Sequence, residues 1–165
     1  PVRPDNFDDM QRVASEIHIP IATGERLHTL EEFGMLLARN ACQYIRPDVC
    51  LCGGITQAKK IAAAAEARGV LVVPHNPLSP VSTAACIQLA ASIPNFAIQE
   101  YPLGEDCAPK NEIVKSTLTL DNGYLTVPDS PGIGIELNEQ AMHQYPYKPR
   151  LYVTKLREDG SVVDQ

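Results

Sequence analysis

The chain has 165 residues, the size of one domain. With 44% hydrophobic and 21% charged residues it has ordinary globular composition, which excludes disordered and low-complexity classes. Fourteen Lys and Arg against twenty Asp and Glu leave a net charge of −6, which argues against nucleic acid as the main partner, and no run of about 18 apolar residues is present to span a membrane. No basic and apolar leader opens the chain, and five cysteines without a zinc-knuckle spacing predict a reducing, cytoplasmic setting rather than a disulfide scaffold.

The first predicted element is an amphipathic helix from Asp5 to Ile17. Its apolar positions are Phe7, Met10, Ala14 and Ile17, and Asp5 or Asn6 caps it. Ile19–Thr23 follows as a short apolar strand closed by Gly24-Glu25. Thr29-Leu30-Glu31-Glu32 is a capping box, opening a helix with Leu30, Phe33, Leu37 and Ala41 at helical spacing. Tyr44–Asp48 reads as a strand ending at its proline. Gly53-Gly54 makes a turn into an Ala-rich helix over 55–68, closed by Gly69. Val70–Val73 is the clearest strand, stopped by Pro74-His75. Ser79-Pro80 supplies an N-cap and a first-turn proline for a helix reaching about Ser92, and Phe96–Gln99 is a last short strand. Helix and strand thus alternate through the first hundred residues, and the strands are apolar throughout, as parallel strands covered on both faces should be. Beyond residue 103 the pattern changes. Asn122-Gly123 between two Thr/Leu/Tyr-rich runs marks a hairpin, and residues 104–165 form an extension packed on the α/β part.

A polar residue closes each strand: Glu25, Asp48, His75 and Glu100, at spacings of 23, 27 and 25 residues, each about one βα unit. The carboxyl ends of parallel strands share one edge, where ligands bind, so the four side chains are expected in one neighbourhood. Carboxylates and imidazole are expensive to desolvate and are not gathered without partners. Arg46 lies two residues before Asp48, on the same side of its strand, and offers a bidentate grip to a substrate carboxylate. Singly, a strand-end Glu is more often a cap or a solvated group. The register across four units is what points to a site. Gly53-Gly54 reads as a plain turn rather than a phosphate cradle, and Cys50 and Cys52 read as small buried residues.

Ile19-Pro-Ile-Ala-Thr-Gly-Glu-Arg26, Ile45-Arg-Pro-Asp48, Gly53-Gly-Ile-Thr56, Pro74-His-Asn-Pro-Leu-Ser-Pro80 and Pro94-Asn-Phe-Ala-Ile-Gln-Glu100 resemble the mandelate racemase branch of the enolase superfamily. The match is nearest to its galactonate dehydratase-like members, and Asp121–Ile135 also matches their C-terminal extension. The resemblance implies an α/β fold: the later half of a (β/α) TIM-type barrel over 1–103, with a C-terminal capping segment over 104–165. It implies Mg²⁺ held by three carboxylates on successive strands, with Glu25 the third and the first two upstream of Pro1, itself similar to the end of a Glu-Glu-Pro motif. It further implies His75 as general base, Asp48 as its orienting carboxylate, Glu100 as an acid hydrogen-bonded to the intermediate and most useful when protonated, and Arg46, with Glu25, His75 and Glu100, as substrate contacts. Asn76 and the short 75–79 stretch look galactonate-like, whereas Arg46 occurs in other acid-sugar dehydratases.

The implied reaction is loss of an α-proton and a β-hydroxyl from a sugar acid to give a 2-keto-3-deoxy acid. A cation on the carboxylate offsets the developing charge, and a histidine near neutrality takes the proton; a His or Lys base with Mg²⁺ is a general pattern of the superfamily. A racemase or epimerase and a mannonate-type dehydratase remain open, as does an inactive half-barrel acting as a structural partner. The expected partners are an acid sugar, an N-terminal complement carrying the other metal ligands, and further copies of the chain, since half a barrel leaves two sheet edges unpaired.

Overall fold

The computed structural model describes residues 2–149 and 155–163. The reading of Pro1 lies outside them, as does part of the extension. Five helices, a three-stranded parallel sheet and a two-stranded hairpin are found among the described residues. Helix α1 (Phe7–Glu16) is capped by Asn6, whose side chain accepts from the Asp9 N–H. Strand β1 (Ala22–Thr23) leads to α2 (Leu30–Ala38), which starts with the expected box: the Thr29 hydroxyl accepts from the Glu32 N–H while the Glu32 carboxylate accepts from the Thr29 N–H. Strand β2 (Tyr44–Ile45), α3 (Gly54–Glu66), β3 (Leu71–Val72) and α4 (Pro80–Ala91) follow, α4 capped by the Ser79 side chain with Pro80 in its first turn.

The sheet order β1-β2-β3 is parallel, with Ala22, Tyr44 and Leu71 in one row and Thr23, Ile45 and Val72 in the next. Because side chains alternate across a sheet, the two rows face opposite ways. Thr23, Ile45 and Val72 are buried with Phe33, Leu36, Ala58 and Ile61 of the helices. The other row is more open, with Leu71 38% exposed, so the expectation of strands covered on both faces is corrected. Helices cover one face; among the described residues nothing closes over the other.

The fourth strand also needs correction. Residues 96–99 are reduced to one parallel bridge, Val72 to Phe96, built by Val72 N–H to the Asn95 carbonyl and Ala97 N–H to the Val72 carbonyl. The next bond of a parallel ladder would need an N–H at position 74, and Pro74 has none. Cys50 is corrected as well. It is exposed, whereas Cys52 is 2% exposed, and burial pushes the Cys52 thiol up to about 11, with the Asp48 charge adding to it.

Beyond the parallel sheet, β4 (Leu120–Asp121) and β5 (Tyr124–Leu125) form the expected hairpin, turning through Asn122 and Gly123, both at positive φ. A short α5 (Ala141–Gln144) packs near a 3₁₀ turn at 110–113. No helix among the described residues is long and apolar enough to cross a membrane.

Gly24 joins β1 to Glu25 at φ +123°, where a Cβ would stand 2.8 Å from the Phe33 ring and 3.2 Å from the Arg46 nitrogen. Phe33 is wholly buried and cannot yield. In the chain assembled with its N-terminal complement, Gly24→Ala is expected to lower stability by about 2 kcal/mol in chemical denaturation. An unchanged denaturation midpoint would contradict this packing.

Candidate active site at the carboxyl ends of the strands

The backbone ladder continues past the strands and sets the site. Arg46 N–H donates to the Thr23 carbonyl at 2.8 Å, Val73 N–H to Ile45 at 2.9 Å, and His75 N–H to Pro47 at 3.1 Å. Asp48 and His75 consequently form a parallel bridge. Their side chains meet as well, with His75 Nδ1 3.0 Å from Asp48 Oδ2. Asp48 is 1% exposed, and its other oxygen accepts from the Cys50 N–H at 2.8 Å. With the Asp48 carboxylate accepting from Nδ1–H, the tautomer leaves Nε2 as the lone-pair nitrogen. The His75 side chain is 20% exposed, so the imidazole is held by Asp48 without being sealed into the core.

Beside this dyad lies a second pair. Arg46 Nη2 donates to Glu100 Oε2 at 2.7 Å, and the Asn76 backbone N–H donates to the same oxygen at 2.8 Å. Burial alone would raise the Glu100 carboxyl, but the Asn76 N–H, the Arg46 guanidinium and the His75 charge together hold it below the ordinary glutamate value. Glu100 is therefore an anion here, which corrects the expectation of a protonated donor. Its contribution to stability is present above the ordinary glutamate value and is lost as pH falls through the lowered folded value. Arg46 Nε is buried without a partner.

Four of the five expected residues thus form two hydrogen-bonded pairs, Asp48–His75 and Arg46–Glu100, brought side by side because Asn76, whose N–H holds Glu100, follows His75 in the chain. Glu25 follows β1 at the same sheet edge, but no hydrogen bond joins it to the cluster; it lines a cavity of about 560 Å³ with Met10, Val13 and Ile21. Its Oε2 is buried with no partner. A hard oxygen donor without a proton donor fits one arm of a Mg²⁺ site. No group of three His, Cys, Asp or Glu that could hold a metal exists among the described residues. Three further parts lay outside the strand-end pattern: the Cys50 N–H on Asp48, the Asn76 N–H on Glu100, and a buried chain from Asn76 through Thr83 to Glu105. Backbone donors carry no residue-type signal, and a Glu in the polar, Gly-containing 103–107 stretch reads as a solvated loop residue.

Successive βα units with their polar residues gathered at one sheet edge are the arrangement found at the strand ends of a (β/α) barrel. Residues 1–141 match the family model described as enolase C-terminal domain-like, and the chain belongs to that family. It is 34% identical over 144 residues to a D-galactonate dehydratase of Verminephrobacter eiseniae, covering 84% of this chain and 38% of that one. It is 33% identical over 162 residues to a D-galactonate dehydratase family member of Streptomyces bingchenggensis, covering 97% of this chain and 39% of the relative. The solved structure of an enolase from Agrobacterium radiobacter with bound Na and L-malate is similar at a TM-score of 0.87 and 35% identity, over 98% of this chain and 44% of that one. The chain spans well under half the length of these relatives, and its α/β architecture matches part of the enolase-superfamily barrel.

Replacing Arg46 by Met removes both a hydrogen bond and a positive charge from Glu100. The pH at which the Glu100 carboxyl carbon titrates in NMR is expected to rise. Titration at the parent pH would show that Arg46 does not hold the anion.

Proposed function

We propose that this chain carries the base-bearing side of an acid-sugar dehydratase that uses a divalent cation, and that a second segment supplies the remaining cation ligands. The observation that carries the reading is the Asp48–His75 dyad standing beside the Arg46–Glu100 pair at one strand-end edge. Relatives named D-galactonate dehydratase support dehydration of a sugar acid as the reaction. L-malate in the Agrobacterium enolase supports a hydroxy-carboxylate as the ligand class, and the sodium there supports a cation.

In this reading Glu25 would hold Mg²⁺ through its bare Oε2, and the cation would supply positive charge against the substrate carboxylate. His75 Nε2 takes the substrate's α-proton. Asp48, already accepting from Nδ1–H, stabilises the imidazolium that results. Arg46 grips an oxygen of the substrate with the exposed part of its guanidinium, and Glu100, held as an anion on its Oε2 side, accepts a substrate hydroxyl on Oε1. The C–H electron pair forms the Cα–Cβ double bond as the β-hydroxyl departs. The proton that makes the leaving group water comes from the His75 imidazolium or from the second segment. Ketonisation of the enol then gives the 2-keto-3-deoxy acid.

The open face of the sheet bears on assembly. Leu71, 38% exposed on that face, is apolar surface that a completed barrel would cover. We infer that the chain functions with its complement or with further copies of itself. A dilute, isolated sample is expected to melt without a cooperative transition; a sharp transition in a monomer would contradict this.

With the chain, its complement, Mg²⁺ and a panel of aldonic and aldaric acids, release of a 2-keto-3-deoxy acid is expected. His75→Asn is expected to lower kcat by about 10³-fold. Turnover by His75→Asn at the parent rate would exclude His75 as base, and exchange of the α-proton without dehydration would turn the reading to an epimerase. Glu25→Gln is expected to weaken Mg²⁺ binding at least about tenfold in calorimetry. Unchanged affinity would remove Glu25 from the cation site.

A further inference from the structure

Behind the Asn76 amide runs a chain of side chains that the proposed chemistry does not use. Asn76, Thr83 and Glu105 come from three separate segments, and each is 0% exposed. Asn76 Nδ2 donates to the Thr83 hydroxyl at 2.7 Å and to the Glu100 carbonyl at 3.2 Å. The Thr83 hydroxyl lies 2.5 Å from Glu105 Oε1 and 3.3 Å from the Ser79 carbonyl. A hydroxyl has two lone pairs and one proton. The Ser79 carbonyl already accepts the Thr83 N–H at 3.0 Å, so the hydroxyl proton is free to go to either acceptor, and the state of Glu105 turns on its own second oxygen. With a proton on Glu105, Glu105 and Asn76 both donate to Thr83, and the Thr83 hydroxyl donates to Ser79. Glu105 Oε2 has no partner, which is far less costly for a neutral acid than for a buried carboxylate.

We propose that Glu105 is a positioning residue, held as a neutral acid that donates to Thr83 and so fixes the Asn76 side chain beside Glu100 and His75. Asn76 is the pivot. Its backbone N–H holds the Glu100 carboxylate and its chain neighbour is the base, so a swung amide would disturb both. The charged and titratable groups facing Glu105 are Lys110 from the 3₁₀ turn and Tyr101 from its own loop; α4 contributes the uncharged Thr83. Burial pushes the Glu105 carboxyl up, and it prevails over the Thr83 hydrogen bond and the Lys110 charge, which pull the other way. A buried acid is not needed for packing, since an apolar side chain of similar volume is usually at least as stable. That favours a role in orientation.

The role in catalysis rests on the dehydratase reading; the role in fixing Asn76 does not, and the test separates them. In the assembled enzyme, Glu105→Gln keeps a neutral donor and Glu105→Ala removes it. The first readout is hydrogen exchange of the Asn76 side-chain amide by NMR, with protection expected to stay within about twofold of the parent in Glu105→Gln and to fall about tenfold or more in Glu105→Ala. The second is kinetic: Glu105→Ala is expected to lower kcat about tenfold with KM within about twofold, and Glu105→Gln to keep the parent kcat. The third is pH. The neutral acid's contribution to stability is present below the ordinary glutamate value and lost as pH rises through the raised folded value, and Glu105→Gln is expected to abolish that loss. Should Glu105→Ala not fold, Thr83→Val breaks the same chain with little change of shape. Parent-like amide protection in Glu105→Ala or Thr83→Val, or a Glu105→Gln variant as impaired as Glu105→Ala, would overturn the proposal. If the parent turns over no acid sugar, the dehydratase reading fails and the amide measurement alone decides this inference.

Discussion

The parallel backbone register decides everything at the strand-end edge. Hydrogen bonds from Arg46 to Thr23, from Val73 to Ile45 and from His75 to Pro47 run on past the regular strands. They leave Asp48 directly opposite His75, two segments whose own sequences are 27 residues apart. A slip of one residue would send every side chain of a strand to the opposite face. It would put Ile45 and Val72 on the open side and break the contact between imidazole and carboxylate. The helix-side core of Phe33, Leu36, Ile45, Ile61 and Val72, all fully buried, is what forbids the slip. Packing on one face of the sheet thus specifies the chemistry at its end.

Each charged group at that edge is compensated in a way that sets its chemical state. Asp48 is almost wholly buried but accepts from both an imidazole and a backbone N–H. Glu100 takes an amide and a guanidinium on a single oxygen and is held as an anion. Glu105, hydrogen-bonded to the Thr83 hydroxyl, is driven the other way by burial, which outweighs the Lys110 charge. Glu100 and Glu105 differ because their donors differ, not because their burial alone does. Glu25 also has a buried oxygen left bare, and in the proposed enzyme a cation is the compensation it lacks.

Much of this was legible in the sequence because it rests on short-range rules. Thr29 with Glu32, Ser79 with Pro80 and Asn122 with Gly123 each specify a cap or turn within four residues, and all three formed as expected. The strand-end spacing also placed Arg46, Asp48, His75 and Glu100 together, since βα units repeat the same rise and return. The errors came from long-range terms. Treating apolar strands as covered on both faces ignored what must lie on the second face. Reading 96–99 as a strand ignored that Pro74, in the neighbouring strand, has no N–H to give. A protonated Glu100 looked suitable until two donors were found on its carboxylate, one of them a backbone group with no sequence signature. Glu105 was invisible because its burial depends on where α4 sets Thr83.

The most direct test of the central claim is a crystal structure of the assembled enzyme with Mg²⁺ and a hydroxy-dicarboxylate such as L-malate. The account predicts the ligand's hydroxy-bearing carbon in front of His75 Nε2, its carboxylate on a cation held in part by Glu25, and Arg46 and Glu100 in contact with its remaining oxygens. A ligand bound away from the strand ends, or a cation that Glu25 does not touch, would contradict it.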